Sequence, residues 1–173
     1  MSEAQLQEVI GSVRELLDRE AIKELKARYF RLLDAQDWDG FRQCFIEDAE
    51  FDVQGREFIV GAEAYVSEAQ RVMRGARTLH QGHMPELTID GPTEAHGQWL
   101  LADYLEWPAD PDTGERQGMK GYWRYDETYR KLDGEWRIAT LRLRPLRIDP
   151  LPREPLPDQV LGGPPGLGEG GDA

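Results

Sequence analysis

The N-terminal part of the chain repeats apolar side chains at the spacing of amphipathic helices. Four such residues recur at intervals of four, three and four: Leu6, Ile10, Val13 and Leu17. Ser2 is the predicted N-cap of this first helix. A second helix is predicted to follow directly, with Asp18 as its cap. Its apolar stripe is formed by Ile22, Leu25, Tyr29, Leu32 and Leu33.

The following segment, residues 37–75, predicts short elements. A turn at Asp37 leads into a short helix that runs through Phe41, Cys44 and Phe45. Residues 49–53 alternate apolar and polar side chains as a strand does, and residues 58–60 predict a second short strand. A third helix is predicted over residues 62–73, ending at Gly75. Its inward side chains are expected to be Ala62, Tyr65, Ala69, Val72 and Met73.

From residue 77 onwards the hydrophobic period changes to two, which predicts a series of strands. One strand ends near residue 89, and the next ones cover 98–107, 119–131 and 136–146. Asp133-Gly134, between the last two runs, is a strong signal for a tight hairpin. One face of the run 98–107 carries large apolar side chains together with one carboxylate, Asp103.

Helices followed by long antiparallel strands predict an α+β fold, in which a curved sheet wraps around a helical layer. A concave sheet closed by helices is a default place for a small-ligand pocket. We expect a helical extension over residues 1–17, one domain over 18–148, and a tail rich in proline and glycine over 149–173. The tail is expected to have no packed structure beyond about residue 158.

Composition excludes several classes of partner. The 33 acidic and 21 basic residues give a net charge of −12, which repels nucleic acid phosphates and anionic lipid head groups. The N-terminus does not resemble a signal peptide, and no run approaches the roughly 20 apolar residues of a membrane span. The single cysteine, Cys44, excludes an internal disulfide and fits a reducing compartment. We therefore expect a cytoplasmic protein that binds neither nucleic acid nor membrane.

His80 is the first candidate for a catalytic base, because histidine ionises near neutral pH. A base of this kind needs an acceptor on its other ring nitrogen, which fixes the tautomer and stabilises the imidazolium. Asp34, at the predicted end of the second helix and the edge of its apolar stripe, could supply that acceptor. A hydrogen-bonded structural histidine and a solvated carboxylate are the competing interpretations.

A metal site is an alternative use of the histidines. His80 and His83 are three positions apart, however, and on a straight strand their rings would point to opposite faces. Only His96 remains as a further histidine, and no cysteine pair is present. No phosphate-binding or dinucleotide-binding glycine pattern occurs either. The sequence predicts neither a metal site nor a cofactor.

Several segments together resemble the SnoaL-like branch of the nuclear transport factor 2-like superfamily. They are DREAI at 18–22, Tyr29 and Asp34, DWD at 37–39, FIEDA at 45–49, Gly61, His80, and YRKLDGEWRI at 129–138. The resemblance covers residues 18 to about 145. It implies a cone-shaped α+β barrel, with a curved sheet and three helices around a deep apolar pocket. It also implies a homodimer or homotrimer.

Within that superfamily the pattern is most similar to the group of scytalone dehydratase and hexachlorocyclohexane dehydrochlorinase. The resemblance implies that the catalytic Asp and His of the dehydrochlorinase fall on Asp34 and His80. Met84 stands near a position at which the dehydrochlorinase has Asn. No match carries over the tyrosine pair of the dehydratase, although Tyr29, Tyr104 and Tyr125 are available.

Two functions follow as hypotheses. The first is a cofactor-free lyase or isomerase, similar to a dehydratase or dehydrohalogenase, that uses His80 and Asp34 on a small apolar cyclic substrate. The second is a non-catalytic small-molecule binder or accessory subunit of the same fold, because fold alone does not determine function. The pocket wall is expected to come from Tyr29, Phe30, Trp38, Phe45, Phe51, Trp99, Tyr104 and Tyr125.

Overall fold

The computed structural model describes residues 1–55 and 57–153, with the side chain of Glu57 left aside. One long helix, α1 (Glu3–Asp34), opens the chain, and Ser2 and Gln5 form a reciprocal capping box at its start. The prediction of two helices separated at Asp18 is wrong. The Asp18 carboxylate accepts hydrogen bonds from Lys131 Nζ and Trp136 Nε1 instead of capping a helix. The helix therefore continues through this position.

The short helix α2 (Trp38–Arg42) follows, with Asp37 as its cap. The prediction that this helix includes Cys44 and Phe45 is wrong, because Phe45 opens strand β1 (Phe45–Val53) and pairs with Ile138. Both residues are fully buried, so their apolar character did not distinguish a helix from a strand. Strand β2 (Glu57–Val60) and helix α3 (Ala62–Val72) come next.

Five further strands complete the sheet: β3 (Arg77–Gly82), β4 (Glu86–Ile89), β5 (Glu94–Trp107), β6 (Gln117–Leu132) and β7 (Glu135–Pro150). The strand order is β2-β1-β7-β6-β5-β3, and β4 pairs with β5 beyond the end of β3. The β1–β7 pair is parallel and the others are antiparallel. The sheet is curved and does not close. The predicted α+β architecture with three helices is confirmed.

The β6–β7 hairpin confirms the Asp133-Gly134 turn. Both residues have positive φ, at 52° and 86°, as a two-residue turn of this kind requires. Register shifts further along this pair, near Tyr122 and Thr128, are irregularities of the type that bend strands. Strand β7 continues to Pro150, so the first two residues of the predicted tail belong to the sheet. Leu151 is also buried, and its backbone N–H donates to the Gly118 carbonyl. The prediction of no packed structure beyond about residue 158 lies outside the described residues.

The core lies between the second half of α1, helix α3 and the inner face of the sheet. All five residues of the predicted apolar stripe of α1 are buried. In contrast, the first half of α1 leaves apolar residues such as Leu6, Val13 and Leu17 largely exposed. On α3, Val66 is buried although it is not among the predicted inward residues, whereas Val72, which is among them, is partly exposed. Within the described residues, none of the helices has the length and apolarity that crossing a membrane requires.

Candidate functional site

Asp34 and His80 meet where the end of α1 lies against β3. The Asp34 carboxylate is 2.6 Å from His80 Nδ1. It also accepts the backbone N–H of His80 at 3.0 Å and the Thr78 hydroxyl at 2.8 Å. The His80 side chain is 4% exposed and that of Asp34 is 22% exposed. The sequence-predicted pair is therefore in direct contact and largely withdrawn from solvent.

These contacts determine the charge of Asp34 and the orientation of His80. Burial alone raises the pKa of the Asp34 carboxyl, but the hydrogen bonds from the His80 ring, the His80 backbone and Thr78 outweigh it and hold the pKa below its usual value. An ionised Asp34 is the acceptor for Nδ1–H of His80. The Nε2 atom is then the lone-pair nitrogen, which is the state required of a general base.

Phe30 of α1 lies beside the His80 ring, in space that Gly82 of β3 leaves free. The Phe30 and His80 rings are nearly parallel, with an interplanar angle of 11° and centroids 6.3 Å apart. A Cβ atom on Gly82 would overlap the Phe30 ring, so only glycine allows this packing.

His80 lines a cavity of about 210 Å³ between α1, α3 and the sheet. Apolar side chains make up much of its wall, including Leu33, Leu101 and Leu143. Among its polar residues are Tyr29, Tyr65, His80, Asp103, Trp123 and Tyr125. A dry apolar cavity of about 150 Å³ is enough to bind benzene, so this volume suits a ligand with one small ring.

Three tyrosines supply hydroxyl groups to the cavity. The hydroxyls of Tyr29 and Tyr65 are 3.3 Å apart. Burial raises the pKa of Tyr65 to about 12, and it raises the pKa values of Tyr29 and Tyr125 well above the usual range. All three phenols therefore remain protonated at neutral pH and can donate hydrogen bonds to a ligand.

Asp103 also lines this cavity, opposite His80 in the β3–β5 register. Its Oδ1 atom is buried, beside the Gly121 position that Trp123 Nε1 also contacts. Burial is the dominant influence and raises the pKa of the Asp103 carboxyl, against smaller opposing effects of the Trp123 indole and His80. Alternation along β5 places Asp103 on the apolar face of the strand, and this is the sequence signal that points to it.

A buried network of charged and polar side chains packs against two tyrosines of the cavity wall. Lys26 Nζ lies 2.5 Å from Glu127 Oε1, and both side chains are fully buried. Glu127 Oε2 accepts the Tyr129 hydroxyl, which in turn accepts Trp99 Nε1 at 2.7 Å. The ammonium group lies 3.6 Å from the centroid of the Tyr125 ring and 4.0 Å from that of Tyr29. Sequence reasoning missed this network, although Lys26 falls within the apolar stripe of α1.

The eight residues predicted for the pocket wall divide into four groups. Tyr29 and Tyr125 line the cavity. Phe30 and Trp99 line a neighbouring depression, and Asp34 and His80 line it too. Trp38 lies in a surface depression between α2 and α3, away from His80. The remaining three residues, Phe45, Phe51 and Tyr104, lie outside the wall of this cavity.

Phe45 and Phe51 are fully buried in the aromatic core, where Phe51 stacks on Tyr65 with centroids 3.8 Å apart. The Tyr65 side chain lies between these two residues and the cavity, so they pack against the wall without lining it. Tyr104 lies on the opposite face of β5 from Asp103, where its hydroxyl bonds to Glu106 and Arg116. Strand alternation accounts for this placement.

The other histidines lie outside the cavity. His83 is exposed in the β3–β4 connection, and His96 pairs with Asp90 at the surface. Met84 in the same connection is 94% exposed, so it does not contribute to the surroundings of His80. Among the described residues, no group of three or more His, Cys, Asp or Glu side chains is arranged to hold a metal ion.

A curved sheet covered by helices, with a largely apolar cavity that also carries polar groups, places the protein among α+β proteins with an internal ligand cavity. The chain belongs to the SnoaL-like domain family, whose family model matches residues 14–142. The resemblance to the nuclear transport factor 2-like superfamily is thereby confirmed.

Several solved structures share this fold. A type 2 hexachlorocyclohexane dehydrochlorinase is 20% identical with a TM-score of 0.73, covering 90% of this chain and 99% of its own. A candidate scytalone dehydratase from Novosphingobium aromaticivorans is also 20% identical, with a TM-score of 0.71 and coverages of 89% and 97%. Rv3472 of Mycobacterium tuberculosis, of unknown function, is 28% identical with a TM-score of 0.63 and coverages of 85% and 78%.

Proposed function

We propose that this protein is a cofactor-free lyase or isomerase in which His80 is the general base and Asp34 orients it. The observation that carries the proposal is the 2.6 Å contact between His80 Nδ1 and Asp34, together with the position of His80 in the wall of the cavity. Removal of a proton from carbon by a positioned imidazole is worth roughly 10²–10⁴-fold in rate.

The cavity wall supports the second part of the reaction. Loss of a proton from carbon leaves negative charge on the substrate, and protonated phenols are suitable hydrogen-bond donors to that charge. Tyr29, Tyr65 and Tyr125 line the cavity together with His80. The volume of about 210 Å³ favours a small cyclic substrate, and the apolar side chains favour one with few polar groups.

The similarity to a dehydrochlorinase and a candidate dehydratase supports elimination as the reaction class. The alternative function, a non-catalytic binder or accessory subunit, is favoured by a different observation. Buried aromatic side chains and a cavity with a hydrogen-bonded His would also suit a ligand carrier. The two alternatives differ in what His80 does for a bound ligand.

We also propose that the protein forms a homodimer or homotrimer. Leu79, Leu100 and Tyr122 lie on the outer face of β3, β5 and β6, and each is between 42% and 52% exposed. Ala102 pairs with Tyr122 within this surface. Exposed apolar side chains grouped on a sheet face are typical of an interface between protein copies.

The function is tested by identifying what the cavity binds. Native mass spectrometry of the purified protein would detect retained small molecules, and turnover assays would follow on each compound found. His80→Ala should lower turnover about 10²–10⁴-fold while binding is retained. His83→Ala is the matched control, since His83 is exposed and lies outside the cavity. Equal turnover by wild type and His80→Ala would contradict the role of His80 as base, and binding without any turnover by the wild type would favour the binding function.

A further inference from the structure

Asp103 is a carboxylic acid inside the cavity for which the base mechanism has no use. It projects from the inner face of β5, where its neighbours on the same face are Leu101 and Leu105. In the register of the sheet it lies between His80 on β3 and Gly121 on β6. Among the described residues, none of the ion pairs includes Asp103.

The surroundings leave space for this carboxyl group but do not supply a cation to pair with it among the described residues. A Cβ atom on Gly121 would overlap both Asp103 Oδ1 and Trp123 Nε1, so the glycine provides the space that the carboxyl group occupies. Asp103 Oδ1 and Trp123 Nε1 are both buried beside the Gly121 position, and the indole and the Gly121 backbone both act on this carboxyl group. A buried carboxyl group that lines a cavity and has no cation partner is a candidate for contact with a ligand.

Burial is the main influence on the protonation of Asp103. Burial raises the pKa of its carboxyl, and the negative charge of Asp34 acts in the same direction. His80 and the Trp123 indole oppose this effect without reversing it. Tyr125, the other ionisable group nearby, stays protonated because burial raises its own pKa. Asp103 is therefore easier to protonate than an ordinary aspartate, and it lines the same cavity as His80.

We propose that Asp103 is the general acid of the reaction, and that the group it protonates is a departing hydroxyl, so the substrate is a cyclic alcohol that loses water. This inference rests on the proposed role of His80. A halide leaves as a stable anion without a proton, whereas hydroxide is a poor leaving group that an acid must protonate. A proton donor opposite the base is thus useful for dehydration and superfluous for dehydrohalogenation.

The step balances without any co-reactant. His80 Nε2 takes a proton from the carbon next to the C–O bond, and the C–H electron pair becomes the new C=C bond. The C–O bond breaks with its electron pair on oxygen, which takes the Asp103 proton and leaves as water. The protein is left with an imidazolium and a carboxylate on adjacent strands. Transfer of the imidazolium proton to Asp103, directly or through a water molecule, restores the starting state.

The first test measures the proton itself. Carbon-13 NMR of protein labelled at the aspartate carboxyl would follow titration of Asp103, assigned by the signal that is lost in Asp103→Asn. The midpoint should lie clearly above the value of about 3.9 for an unperturbed aspartate. A midpoint at or below that value would overturn the assignment. Asp112→Asn, a substitution in an exposed loop, is the control for the labelling.

The second test compares two probes that need the same base and differ in their need for an acid. 5-Nitrobenzisoxazole opens to a stable phenolate and needs only a base, whereas 3-hydroxycyclohexanone must lose hydroxide. Asp103→Asn should reduce dehydration of the alcohol by about 10²–10⁴-fold and change the ring opening by no more than about threefold. His80→Ala should reduce both reactions.

The outcomes separate this inference from the function on which it rests. Equal losses on both probes in Asp103→Asn would overturn the role as acid and show a structural role. Ring opening without dehydration by the wild type would overturn the alcohol as substrate. No loss on either probe in His80→Ala would instead contradict the proposed base. Gly121→Ala, which displaces the carboxyl group without removing it, should reproduce the selective loss on the alcohol.

Discussion

At the scale of single residues, Asp34 accepts three hydrogen bonds from two residues of β3. An Asn side chain has one acceptor oxygen and would turn an N–H group towards a donor of His80 or Thr78. The carboxylate is therefore needed both for the local structure of β3 and for the orientation of the imidazole. Its position at the last residue of α1 joins the helix end to the site.

The lowered pKa of Asp34 predicts how stability depends on pH. A carboxyl whose pKa is lower in the folded state than in the unfolded state stabilises the fold above the unfolded value of about 3.9, and this contribution is lost as pH falls through the folded pKa. Wild type should therefore lose more unfolding free energy than Asp34→Asn between about pH 5 and pH 2. Urea unfolding at a series of pH values measures this difference. Parallel curves for the two proteins would contradict it.

The contact between Asp34 and His80 is also where residue-level prediction from sequence worked best. Their chemistry and their resemblance to a known pair selected them, and the structure brings them together, although their catalytic role stays a prediction. Alternation along strands could also assign Asp103 to the inner face and Tyr104 to the outer face. It could not separate cavity wall from core, because Phe45, Phe51 and Tyr125 are all buried aromatic residues. That distinction depends on whether another side chain lies between the aromatic residue and the cavity.

At the scale of elements, α1 is attached to the sheet by buried and partly buried ionic contacts. Lys26 pairs with Glu127 on β6, and Asp18 binds Lys131 and Trp136 across the β6–β7 hairpin. The Asp18 contacts also explain why a helix boundary could not be read correctly from sequence. Asp is a preferred cap, and only its long-range partners show that the helix continues through it.

The Lys26–Glu127 pair predicts a specific pattern of stability changes. Lys26→Met leaves a buried carboxylate without its cation and should cost about 3–5 kcal/mol of unfolding free energy. The double variant Lys26→Met/Glu127→Gln removes both charges and keeps an acceptor for Tyr129, so it should cost less than the single variant. Chemical unfolding measures both. A double variant less stable than Lys26→Met would contradict this account of the pair.

The same elements show where sequence patterns are sufficient. The Asp133-Gly134 turn and the long strands beside it follow from local chemistry and alternation, and they agree with the structure. The segment around Cys44 was misassigned because a short, fully buried run fits either a helix or a strand. The parallel pairing of β1 with β7 joins residues nearly one hundred positions apart, and local patterns do not contain that information.

At the scale of the whole molecule, the apolar outer face of the sheet predicts self-association. Sedimentation should give a mass two or three times the chain mass of 19.8 kDa. A Leu79→Glu/Leu100→Glu variant should shift this mass to that of a monomer, because it places charges in the patch. Val9→Glu, an exposed apolar position on the first half of α1, is the control. Dissociation by Val9→Glu alone would place the interface on α1 instead.

The central claim is that His80 removes a proton from the carbon of a small ring bound in the cavity. Proton NMR in D₂O can follow this step directly, as exchange of deuterium into the carbon next to the carbonyl of cyclohexanone. Wild type and His83→Ala should accelerate the exchange about 10²–10⁴-fold over His80→Ala at equal protein concentration and equal occupancy of the cavity. Exchange at the same rate in wild type and His80→Ala would contradict the claim.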